Sequence, residues 1–211
     1  MADEGGITGW VIDVIDSIGE VGVGALITLE NLFPPIPSEV ILPLAGFRAE
    51  AGELSVVLAW VAATIGALVG AAILYLVGAV VGYDRLHDLA GKRWFFLLSQ
   101  NDLDRGNRFF HQHGGKVVLL GRCVPLVRSV VSVPAGITGM NIGRFLLYSA
   151  IGSGVWNAIF IAAGWQLGNN YERVESWVGP LSYIVLGGLL AWLAVNAVKN
   201  LRRRRTEATV T

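Results

Sequence analysis

Apolar positions in this chain come in stretches of two kinds. Three stretches, 54–83, 145–171 and 177–198, are long and carry no charge. A helix needs about 20 apolar residues to cross the hydrocarbon core of a bilayer. Each stretch therefore predicts a transmembrane helix, the first with tilt or overhang. Two other stretches are shorter, broken by proline and charged: NLFPPIPSEVILPLAGF (31–47) and GRCVPLVRSVVSVPAG (121–136). Proline removes a backbone donor and disfavours helix in the residue before it. Such backbone survives at membrane depth only inside protein or along a water-filled cavity. Both stretches predict re-entrant hairpins that enter, turn and leave on the same side.

An amphipathic segment precedes each hairpin. Asp13, Asp16 and Glu20 fall on one helical face, with Trp10, Val14, Ile18 and Val21 roughly opposite. This predicts a helix lying in the membrane interface, with a tilted span as the alternative. Residues 102–113 (DLDRGNRFFHQH) predict a second such helix on the cytoplasmic face.

Charge sets the topology. Only 15% of the 211 residues are charged, against about 25% in soluble domains. The C-terminal arginines, Arg202 to Arg205, belong in the cytoplasm. Counting back through the spans, a re-entrant second hairpin puts twelve Lys or Arg inside: Arg85, Lys92, Arg93, Arg105, Arg108, Lys116, Arg144, Lys199 and Arg202 to Arg205. Arg48 and Arg173 alone then lie outside, and Arg122 and Arg128 lie within the hairpin. A single crossing there would set the basic middle segment and the basic tail on opposite sides. The hairpins thus enter from opposite faces and meet near the midplane.

A shift of 86 residues lays ILYLVGAVVG (73–82) over IFIAAGWQLG (159–168), and Gly66, Gly78 and Gly82 fall on Gly152, Gly164 and Gly168. PLAG (43–46) and PAG (134–136) correspond after a small gap. The fold class this predicts is an all-α membrane protein. It is an inverted repeat with two re-entrant Pro-broken hairpins, three long transmembrane helices and amphipathic interfacial helices. Residues 1–201 form one domain, with repeats about 7–83 and about 102–171 and an extra span at 177–198. Residues 202–211 form a basic cytoplasmic tail. The first residues lack the positive start of a cleaved signal peptide, and the single Cys123 forms no intrachain disulfide.

The charges at membrane depth are Glu30 and Glu39 in the first hairpin and Arg122 and Arg128 in the second. Burying any of them is costly, which makes them candidates for function. A guanidinium presents a planar fork of donors that suits phosphate oxygens and stays protonated. Two arginines inside an apolar protein thus read as a phosphate site reachable from the bilayer. The carboxylates would hold the arginines when the site is empty and exchange a proton when an anion arrives. Two alternatives stay open: the four charges only lock the hairpins together, or they serve protons or small ions.

Other features are blander. His111 and His113 suit a strand or loop, solvated near Lys116. The pairs Gly66/Gly70 and Gly78/Gly82 read as close helix packing. Most of the seven tryptophans read as interface and packing residues. Asn157 reads as bonding a neighbouring helix. No metal set, cofactor motif, nucleotide loop or hydrolase triad is visible, and nucleic-acid binding has no support.

LENLFPPIPSEVILPLAG, GRCVPLVRSVVSVPAGITGM and GSGVWN together resemble the DedA family of bacterial membrane proteins, also called VTT, over roughly residues 20–170. The resemblance implies two re-entrant hairpins in an inverted repeat and movement of lipids between leaflets. It implies undecaprenyl phosphate or phosphatidylethanolamine as substrate, with links to proton-motive force. The family's essential acids fall on Glu30 and Glu39, and its essential arginines on Arg122 and Arg128. The expected protein is a multi-pass lipid transporter of the bacterial cytoplasmic (inner) membrane with its C-terminus inside, and not an enzyme. Its partners would be membrane lipids and coupled protons, and a homo-oligomer is left open. The alternatives are a phospholipid flippase or scramblase and a proton-coupled small-solute transporter.

Overall fold

The computed structural model describes residues 7–33, 38–90, 100–124 and 127–168. The expected span 177–198, the basic tail, Arg173 and the proline-rich tips 34–37 and 125–126 lie outside the described residues. All regular structure among the described residues is helical: α1 (Ile7–Leu32), α2 (Ser38–Glu50), α3 (Val56–Val81), α4 (Tyr83–Ala90), α5 (Gln100–Gly121), α6 (Val127–Val130), α7 (Ser132–Ile137) and α8 (Ile142–Leu167).

The helices α3 and α8 each run 26 residues and are long and apolar enough to cross a membrane. Their starts are capped alike. Ser55 Oγ accepts the Leu58 N–H at 3.4 Å, and Asn141 Oδ1 accepts the Arg144 N–H at 3.1 Å. Packing inverts the pattern of a water-soluble core. The inner face of α3 is small, with Ala59, Ala63, Gly66, Ala67, Gly70 and Ala71. The large side chains face out: Val80 is 72% exposed while Ala59 is 0% exposed. Small residues let backbones approach closely where lipid, not water, surrounds the bundle, and the outer Ile65, Val69, Ile73 and Leu76 suit acyl chains.

In chain order, α1 and α2 form one antechamber to α3, and α5 to α7 form another to α8. The second arm of each pair packs across the molecule: α2 lies on α8, and α7 lies on α3. Four glycines make this crossing possible. A Cβ at Gly46 would stand 2.1 Å from the Ile161 carbonyl oxygen, and one at Gly136 would stand 2.0 Å from that of Tyr75. A Cβ at Gly164 would stand 2.0 Å from the Pro43 oxygen, and one at Gly78 would stand 2.2 Å from that of Val133. The contacts are reciprocal: Tyr75 and Gly78 shifted by 86 give Ile161 and Gly164, while Pro43 and Gly46 shifted by 90 give Val133 and Gly136. Gly168, at the end of α8, lies against Glu50, at the end of α2, and the Tyr75 hydroxyl donates to the Met140 carbonyl. The two long helices are therefore antiparallel, with the α2–α3 turn and the α7–α8 turn at opposite ends.

Two local readings change. The helix α1 is continuous from 7 to 32 but kinks at Gly19, whose φ of 59° and ψ of −138° are open to glycine and strained for other residues. Its buried stripe is Val11, Ile15, Val23, Leu26 and Ile27, while Trp10, Ile18 and Val21 face outward. The expected apolar face is one step off, because α1 packs chiefly on α3 and its buried stripe follows that contact. His111 and His113 sit on α5, not in a strand or loop, and the His113 ring packs on Phe109 at 5.1 Å. The pair Gly114–Gly115 does not break α5, because the Phe110 and Tyr148 rings fill the space where side chains would stand.

Candidate functional site

Arg122 follows α5 directly, and its N–H still bonds the Val118 oxygen at 3.0 Å, so it rides on the last turn of that helix. A Cβ at Gly152 would stand 2.6 Å from the Arg122 Cβ, so α8 makes room for the arginine by having none there. The guanidinium is 1% exposed and donates four hydrogen bonds to neutral oxygens. Nε donates to Ser149 Oγ at 3.3 Å, Nη2 to Ser132 Oγ at 2.9 Å, and Nη1 to the Arg128 carbonyl at 2.7 Å and to Asn31 Oδ1 at 3.4 Å. Its Cζ lies 5.7 Å over the Phe145 ring. One side chain thus ties α1, α6, α7 and α8 together.

Arg128, the second residue of α6, is 6% exposed. Its one ionic partner among the described residues is Glu30, 5% exposed, on the last turn of α1. Nη2 stands 2.5 Å from Glu30 Oε2. Neither atom makes an aligned hydrogen bond, so the contact is Coulombic and poorly directed. The Arg128 Cζ lies 5.8 Å over the Trp156 ring. A buried charge costs several kcal/mol to desolvate, and an ion pair offsets that only with good geometry.

Of the four expected residues, Glu30, Arg122 and Arg128 meet. Glu39 lies in the first turn of α2, half-buried, and forms no ion pair among the described residues. It is near enough to Glu30 for the two carboxylates to repel. Arg122 is in contact with no carboxylate among the described residues, and its direct partners are neutral oxygens. Asn157 donates to Thr64 Oγ1 at 3.3 Å and links α8 to α3.

The sequence reading passed over Asn31, Ser132 and Ser149. Ser149, Ser153 and Asn157 recur every four residues on one buried face of α8, and that period was there to be read. Ser38 is another: it opens α2, is fully buried, and its Oγ has no hydrogen-bond partner among the described residues.

These features define a helical membrane protein with a buried cationic site where its two halves meet. The VTT domain family matches residues 36–166, and the chain belongs to that family, the DedA family. It is 37% identical over 178 residues to a protein of Lactococcus lactis subsp. cremoris named alkaline phosphatase-like protein, covering 83% of each chain. It is 30% identical over 198 residues to undecaprenyl phosphate transporter A of Staphylococcus aureus, covering 92% of this chain and 97% of that one. It is 27% identical over 201 residues to protein DedA of Escherichia coli K12, covering 94% and 86%. No solved structure matches.

Proposed function

We propose that this protein moves a phosphate-bearing lipid, undecaprenyl phosphate foremost, between the leaflets of the bacterial cytoplasmic membrane. The observation that carries the reading is the Glu30–Arg128 pair: two buried charges in contact without an aligned hydrogen bond, beside an Arg122 bonded to four neutral oxygens. A phosphate offers Arg128 more oxygens in better geometry than Glu30 does. It would displace the carboxylate like for like. Taking Arg122 instead would mean breaking bonds to four neutral oxygens at once. Arg128 is therefore the hand that grips the phosphate, and Arg122 is the fixed cation that lowers the cost of bringing a second anion in.

Glu30, once displaced, is a buried carboxylate without a counter-ion. Taking up a proton removes that penalty, which couples lipid entry to proton uptake. Glu39, half-buried at the start of α2, is the next acid along that route. The reciprocal glycine contacts support two hairpins related by an inverted repeat and entering from opposite faces. Opening one hairpin or the other would expose the same arginine to each leaflet in turn. The name of the Staphylococcus aureus relative supports the choice of lipid.

Leaflet transfer in proteoliposomes tests the reading, with fluorescent polyprenyl phosphate and phosphatidylethanolamine and Arg128→Ala beside the wild type. Selective transfer of the polyprenyl phosphate that Arg128→Ala abolishes, with folding intact, is expected. Equal transfer of both lipids points to a scramblase, and release of inorganic phosphate from the lipid points to hydrolysis. Full transfer by the variant removes Arg128 from the mechanism.

A further inference from the structure

The reciprocal architecture makes the two ends of the molecule comparable residue by residue. At the α2–α3 end, Ser55 caps α3, and its N–H is taken by Glu20 Oε1 at 2.9 Å. Beside it Arg48 is bound between Asp16 at 2.8 Å and Glu53 at 2.7 Å. That corner is closed by its own carboxylates. Its counterpart is the α7–α8 end, where Asn141 lies 86 residues after Ser55 and caps α8 in the same way.

No carboxylate among the described residues closes this second corner. The Asn141 N–H has no protein acceptor among the described residues. Beside Asn141 is a half-open cavity of about 380 Å³. Arg144, His111, Gln112, Thr138, Asn141 and Tyr148 line it, and none of its lining residues is acidic. The volume falls within the ordinary range for small-ligand pockets, about 300–1,000 Å³. Among its described lining residues the permanently charged side chain is Arg144. Its Arg144 is five residues along α8 from the Ser149 that holds Arg122, toward the end that the arginine count assigns to the cytoplasm.

We propose that this cavity binds a phosphate group, with Arg144 as its principal donor. What the Glu20 carboxylate does internally at one end, an external anion does at the other. Whether that phosphate belongs to the headgroup of the transported lipid, waiting at the cytoplasmic face, rests on the function proposed above. The cavity's affinity for the phosphate group does not.

The test uses the full chain in phosphatidylcholine nanodiscs and labels arginine with phenylglyoxal, read peptide by peptide by mass spectrometry. Three arms are compared: nanodiscs alone, added inorganic phosphate, and nanodiscs doped with farnesyl phosphate. Labelling of Arg144 is expected to slow severalfold in the phosphate and farnesyl phosphate arms, while that of Arg48, already paired, does not change. Protection by farnesyl phosphate alone assigns the cavity to a lipid headgroup; protection by inorganic phosphate alone assigns it to the free anion. Unchanged labelling in every arm overturns the proposal. As a second readout, Arg144→Gln, an exposed position, should weaken inorganic phosphate binding about tenfold, as expected for losing one charge-assisted contact. Unaltered affinity also overturns it. Protection of Arg144 in a protein that transfers no lipid would sink the transport reading and leave this site standing.

Discussion

Arg122 and Arg128 are six residues apart, equally buried, and held in opposite ways. Arg122 spends all three nitrogens on neutral oxygens from four helices. Arg128 has one carboxylate beside it at 2.5 Å and no aligned hydrogen bond to it. Burial alone would rank them as one functional pair. Their partners separate them: neutral, well-directed acceptors make a fixed cation, whereas a single charged and badly directed one makes a cation that an incoming anion can take over. Under the function proposed above, the same site would contain a structural arginine and an exchangeable one.

The strongest way to break this contrast is Arg122→Ala. The change leaves Asn31, Ser132, Ser149 and the Arg128 carbonyl without their donor, and each unpaired buried group costs about 1–3 kcal/mol. The expected loss is more than about 4 kcal/mol, read as collapse of the thermal transition in detergent. Arg122→Lys should not restore it, because a point ammonium cannot reach partners spread across the guanidinium fork. A variant that melts with the wild type would end the assignment of Arg122 as the fixed cation.

Next comes Glu30→Gln, which strands the Arg128 charge in a dry site at about 3–5 kcal/mol. Arg128→Gln should cost less, because the stranded Glu30 can take up a proton and become neutral, while a guanidinium cannot lose one. The double variant should recover part of the Glu30→Gln loss. Thermal unfolding of the three variants in one double-mutant cycle measures this. Equal losses for the two single variants would remove the asymmetry on which proton coupling rests.

Much of this was legible in the sequence where one residue type carries one physical requirement. Uncharged runs gave α3 and α8, and charges in apolar surroundings gave Glu30, Arg122 and Arg128. The matching glycines Gly78 and Gly164 turned out to be contact points between helices. What stayed hidden were partners with no compositional weight. Serine and asparagine are common in membrane helices, so Ser132, Ser149 and Asn31 gained meaning only once Arg122 was seen among them. Of α5 the amphipathic pattern showed only 102–113; its continuation through Gly114–Gly115 rests on the Tyr148 ring across from it. The pairing of α2 with α8, and of α7 with α3, is a tertiary choice that no single window of sequence contains.

That crossing can be tested at its glycines. Gly46→Ala and Gly136→Ala each place a methyl group against a backbone carbonyl, which cannot rotate away. Overpacking of this kind costs about 1–3 kcal/mol. The two should cost alike if the halves are packed reciprocally, while Gly106→Ala, in open space on α5, should leave the melting temperature unchanged or raised. A neutral Gly136→Ala beside a damaging Gly46→Ala would show that the halves are not equivalent, and would sharpen the contrast between the closed and open ends.

The smallest effect belongs to the closed end itself. The Ser55 N–H donated to Glu20, and after it the glutamate's own backbone N–H, hold this carboxyl below the usual carboxylate range, with slight burial working the other way. A group held low in the folded state stabilises the fold in full above its unfolded value, about 4.3. That contribution fades as pH falls through the folded value. Glu20→Gln keeps an oxygen that can accept the same N–H and loses only the charge. The site is open to solvent, so the expected cost at pH 7 is a fraction of a kcal/mol after screening. The gap in melting temperature between wild type and variant should therefore be small at pH 7 and close below about pH 4. A gap that persists at pH 3 would mean that the carboxylate's charge contributes nothing. The closed corner would then be held by a neutral hydrogen bond, and its difference from the open, cationic corner would be one of shape and not of charge.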